Sequence, residues 1–116
     1  MTWQLTTTQK DSFLELMNEL GAHSMYRIPL MVKELSECGI PVIEDTENEC
    51  LVIDGVKVHL ATPEWGDPGV YPPHVLSVVI EHFGYEINTK KTGLGFRFKD
   101  KLQQLASHWG FDKTYI

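Results

Sequence analysis

Little in this chain matches the parts from which common enzymes and metal proteins are built. There is no Gly-x-x-x-x-Gly-Lys loop to cradle phosphates, no Gly-x-Ser-x-Gly elbow to expose a nucleophile and no His-Glu-x-x-His pair to hold zinc. Only two cysteines occur, Cys38 and Cys50. That is too few for the disulfide framework of a small secreted domain, so both are expected as reduced thiols. No apolar run approaches the ~20 residues that cross a bilayer, and residues 1–8 lack the basic and apolar regions of a secretory signal. These absences lead to the expectation of a cytoplasmic protein with no membrane span, no metal and no cofactor.

Basic residues are also scarce, and unevenly so. The net charge is −6, but residues 1–89 hold fourteen acids against only Lys10, Arg27, Lys33 and Lys57. Residues 90–116 reverse the balance, with Lys90, Lys91, Arg97, Lys99, Lys101 and Lys113 against Asp100 and Asp112. Between residues 34 and 54 stand Glu34, Glu37, Glu44, Asp45, Glu47, Glu49 and Asp54, with no Lys or Arg among them. An acidic chain repels phosphate backbones, which argues against general nucleic-acid binding. It suits a basic protein partner instead, because complementary fields speed and select association. The same segregation permits a closed homodimer, basic end to acidic face.

What is present is enough for one folded unit. With 116 residues, 42% of them hydrophobic, the chain can bury about two-thirds of its unfolded surface without staples. Phe13, Leu16, Met17 and Leu20 recur at helical spacing after Thr8, with Asp11 three residues on, which predicts a capped helix over 8–20. Pro29 opens a second helix over 29–38 that places Met31, Leu35 and Cys38 on one face and stops at Gly39. Asp54-Gly55 between β-branched runs predicts a type I′ turn inside a hairpin unit over 40–61. The turn pairs Ile53 with Val56 and Leu51 with Val58 on the buried face, and Val52 with Lys57 and Cys50 with His59 on the other.

Four of the six prolines fall in 62–73, followed by an almost wholly apolar helix over 74–83. A second hairpin over 85–99 and a last helix over 101–109, capped by Asp100, complete the reading. Helix, stopping glycine and hairpin thus recur at a spacing of 45 residues, aligning Val42, Leu51 and Ile53 with Ile87, Phe96 and Phe98. The expectation is a single α+β domain over 1–116, with one antiparallel sheet of about four or five strands packed by about four helices.

Two candidate sites follow. Glu34, Glu37, Glu44, Asp45, Glu47 and Glu49 make an acidic docking face, with Trp65 and Tyr71 of the proline-rich loop as contact anchors. Alternatively His59, Glu64, Trp65, Asp67, Tyr71 and His74 line a pocket, where carboxylates beside an imidazole suit acid–base work or ligand binding. No nucleophile stands at diagnostic spacing, so no catalytic residue is assigned. The favoured class is a non-enzymatic binding or inhibitory module, of the immunity or antitoxin type or an accessory protein of a phage or mobile element. The alternative is a small enzyme or ligand-binding domain.

Overall fold

A computed structural model describes residues 5–45, 47–61, 66, 68–84 and 94–115, with backbone alone over 94–97. The first helix, α1 (Thr7–Leu20), starts on a reciprocal cap two residues earlier than expected. Thr6 Oγ1 accepts from the Gln9 N–H at 3.1 Å, and Gln9 Oε1 accepts from the Thr6 N–H at 2.8 Å. Gln9 thereby takes the role expected of Asp11, whose carboxylate is engaged elsewhere. Its amide Nε2 also donates to the Gly39 carbonyl at 2.5 Å, tying the start of α1 to the residues that end the next helix. Of the predicted stripe, Phe13, Leu16 and Met17 are buried and Leu20 is half-buried, and Leu14 is buried beside them.

A two-residue strand, β1 (Tyr26–Arg27), leads directly into α2 (Ile28–Glu37), where Pro29 occupies the first turn. Three strands follow: β2 (Val42–Asp45), β3 (Cys50–Ile53) and β4 (Val56–His59). They form an antiparallel sheet in that order. The β3–β4 register is the one the sequence predicts, from Ile53 opposite Val56 to Cys50 opposite His59. Asp54 and Gly55 have φ of 46° and 88°, the left-handed pair that a type I′ turn needs. Leu51, Ile53, Val56 and Val58 are buried, while the opposite face shows Ile43, 66% exposed, and Lys57 on either side of Val52.

The proline-rich stretch contains a short strand that the sequence does not announce, β5 (Gly69–Val70). It pairs with β1, Tyr26 opposite Val70 and Arg27 opposite Gly69. Gly69 also exchanges both backbone hydrogen bonds with Ala61, at 2.8 and 2.9 Å. β5 is therefore sandwiched between β1 and the continuation of β4. The helix α3 (Pro72–His82) buries Val75, Leu76, Val79 and Ile80 against β4, α1 and the last helix, α4 (Leu94–His108).

The second half departs from the expected hairpin over 85–99. Residues 85–93 lie outside the described residues, and 94–99 form the opening turns of α4 rather than a strand. Phe98, Leu102, Leu105 and Ala106 are all buried, so Phe98 begins a helical stripe that the short window 94–99 disguised as an alternation. Asp100 consequently sits inside the helix, not at its cap, and accepts from Gln104 Nε2 at 2.9 Å. The repeat fails with it, since Phe96 and Phe98 belong to a helix while Leu51 and Ile53 belong to a strand. Among the described residues the fold is α+β, with four helices and two antiparallel sheets of three and two strands in place of one larger sheet.

Candidate functional site

The apolar stripes of α1 and α2 turn inward, which leaves their charged shoulders side by side. On α1 the shoulder carries Asp11, Glu15 and Glu19, four residues apart and hence stacked on one face. On α2 it carries Glu34 and Glu37. These five carboxylates line one groove of about 290 Å³, together with Ser12, Leu16 and Cys38. Leu16 is buried and Cys38 half-buried, so the acids stand over a partly apolar base.

The groove's electrostatics register on the thiol within it. Burial pushes the Cys38 pKa above its ordinary value, and the nearby Glu34, Glu37 and Glu19 charges push it the same way. The Sγ–H donates to the Ser12 carbonyl at 3.8 Å. A thiol so placed stays protonated and is a poor nucleophile.

Among the described residues, Lys113 brings a cation to this region from within the chain. Lys113 Nζ lies 2.5 Å from Glu15 Oε1 and also pairs with Asp11. Its hydrogen bonds to Asp11 and then to Glu15 hold its pKa above the usual lysine range. Glu19, Glu34 and Glu37 have no ion-pair partner among the described residues.

The expected acidic face is thus divided between two places. Glu34 and Glu37 belong to the α1–α2 groove, whereas Glu44, Asp45, Glu47 and Glu49 belong to β2 and the turn after it. Asp45 accepts from the Asn48 N–H at 3.2 Å and from Asn48 Nδ2 at 2.7 Å. Those bonds hold its pKa below the ordinary carboxylate value, the side-chain bond first. Asp45 shapes the turn, while Glu44, Glu47 and Glu49 are exposed. Asp11, Glu15 and Glu19 are the groove residues that the sequence reading passed over. Their four-residue spacing along a predicted helix was the signal that would have found them.

A second concavity, of about 240 Å³, is lined by His59, Leu60, Ala61, Val70, Tyr71 and His74. Pairing of Ala61 with Gly69 brings the end of β4 next to the start of α3 and so creates it. Three of the six residues named for a pocket, His59, Tyr71 and His74, therefore share one hollow; Glu64, Trp65 and Asp67 lie outside the described residues. Cys50 is opposite His59 in register, yet the thiol is buried and the imidazole exposed.

Among the described residues no three His, Cys, Asp or Glu side chains are grouped to hold a metal ion, and no helix is long and apolar enough to cross a membrane. The chain matches no family model, no curated protein sequence and no solved structure.

Proposed function

We propose that this chain is a protein-binding module whose α1–α2 groove takes up a basic segment of a partner protein. The observation that carries the reading is the convergence of five carboxylates from two helices on one groove, three of them without a counter-cation among the described residues. Like charges held together repel one another, and a cationic ligand relieves that repulsion. The base of the groove, half-buried Cys38 beside buried Leu16, offers apolar contact to the stem of a lysine or arginine. The exposed Glu44, Glu47 and Glu49 add to the field that draws such a partner in. An inhibitory or adaptor role fits a groove that binds and whose one thiol is held protonated.

A fluorescein-labelled oligolysine serves as a minimal basic segment. It is expected to bind at low ionic strength and to be released as salt rises. Glu34→Gln together with Glu37→Gln should weaken that binding and leave the unfolding midpoint nearly unchanged, since solvent-facing charges contribute little to stability. Unaltered binding by the double variant would exclude the groove.

A second reading rests on the other concavity. His59, Tyr71 and His74 around an apolar hollow form a pocket for a small ligand with an apolar body and a polar end. Ring-proton resonances of His59 and His74 that no member of a small-molecule fragment set perturbs would remove it.

A further inference from the structure

Two of the groove's acids are already in use by the chain itself. Residues 111–115 run back along α4, and the Gln103 side chain fastens them at two points. Its Nε2 donates to the Lys113 carbonyl at 2.6 Å, and its Oε1 accepts from the Tyr115 N–H at 2.9 Å. One amide side chain thus grips the backbone of the segment at two alternate residues. From that position Lys113 Nζ meets Asp11 and Glu15, and the Tyr115 hydroxyl lies 3.5 Å from Glu15 Oε1. Phe111 and Tyr115 rest half-buried against the core. Asp11 and Glu15 are the same carboxylates that wall the groove on the α1 side.

We infer that residues 111–115 form an internal strap whose Lys113 competes with the cations of a basic partner for Asp11 and Glu15. The inference rests on the reading of the groove as a site for a basic segment and adds how that site is regulated. A partner that engages all five carboxylates must displace Lys113, whereas one that engages only Glu19, Glu34 and Glu37 leaves the strap in place. The strap's polar attachments are the Gln103 amide, the partly exposed ion pairs of Lys113, the Tyr115 hydroxyl beside Glu15 and the Phe111 N–H, which donates to the Ala106 carbonyl at 2.9 Å. Ion pairs of that kind are weak, so the strap can be released without unfolding the helices beneath it. Coupling of this sort is reciprocal: whatever loosens the strap tightens the partner, and a bound partner loosens the strap. It also makes the apparent affinity depend on the fraction of molecules whose strap is open.

Oligolysine binding to the full chain and its variants tests this. Lys113→Gln should bind about 1.5- to fivefold tighter than the parent at low ionic strength, the range that one partly exposed ion pair spans. Lys113→Arg, which keeps the charge, should bind as the parent does. Gln103→Ala changes no charge yet unfastens the strap, and should also tighten binding, which separates release of the strap from a simple change in net charge. Addition of the peptide to the parent should move the Tyr115 backbone amide resonance. If Lys113→Gln and Gln103→Ala both bind as the parent does while Glu34→Gln with Glu37→Gln binds more weakly, the strap is overturned and the groove stands. If the double Glu variant binds as the parent does, the groove falls and the strap with it.

Discussion

Gly69 carries more structure than its size suggests. It is buried between Arg27 of β1 and Ala61 beyond β4, and a Cβ there would lie 2.6 Å from the Tyr26 carbonyl oxygen and 2.9 Å from Met25 Cγ. The first of these is backbone and cannot swing aside. Gly69→Ala should therefore cost about 1–3 kcal/mol, the range for forcing extra volume into a packed site. Equal urea midpoints for variant and parent would show that β5 does not sit between its two neighbours. Because Ala61–Gly69 pairing also shapes the hollow around His59, Tyr71 and His74, the same variant should disturb the His59 and His74 ring resonances.

Among the elements, α3 bears the most. Val75, Leu76, Val79 and Ile80 are fully buried, and the helix meets β4, α4 and α1. Truncating Val79 or Ile80 to Ala should cost ~2–4 kcal/mol by removing apolar contacts and leaving a cavity. Calorimetry that finds both substitutions neutral would put that helix at the surface. This helix was legible in the sequence because Pro72-Pro73 started it and its apolar residues surround it. The β3–β4 hairpin was legible for a similar reason: Asp54-Gly55 admits few turn types, and that turn dictates every pair that follows. The residues from 94 to 99 were not, because six residues with apolar side chains at every second position fit a strand as well as the start of a helix. Only the continuation through Leu102, Leu105 and Ala106 decides between them. β1 and β5 escaped because a two-residue strand has no period to detect, and each exists only through its partner.

At the scale of the whole molecule, the distribution of charge was readable and its meeting points were not. Counting acids and bases along the chain separated an acidic body from a basic end. That Lys113 pairs with Asp11 and Glu15, about a hundred positions away, follows from the packing of α4 on α1, which no local pattern encodes. Cys38 offers a way to measure the resulting field without a partner. Measured against a small free thiol, its reaction with the dianion dithiobis(nitrobenzoate) should be suppressed more strongly than its reaction with neutral iodoacetamide, because Glu34, Glu37 and Glu19 repel the anionic reagent as well as the thiolate it needs. Glu34→Gln with Glu37→Gln should speed the anionic reagent by roughly tenfold at low salt, the neutral one less, and high salt should narrow the gap. Peptide mapping assigns the label, since Cys50 is fully buried. The raised Cys38 pKa also predicts a pH dependence of stability. With the folded value above the unfolded one, the contribution of the neutral buried thiol is complete below the unfolded value, about 8.5, and is lost as pH rises through the folded value. The pKa values of Lys113 and Tyr115 are raised as well, so their contributions fade in the same direction at higher pH. The melting temperature should accordingly decline on the alkaline side, and Cys38→Ala should flatten the earliest part of that decline. An alkaline limb that begins at the same pH in the variant would show that Cys38 does not set it, and equal suppression of the two reagents in the parent, each measured against the free thiol, would mean that no such negative field surrounds Cys38.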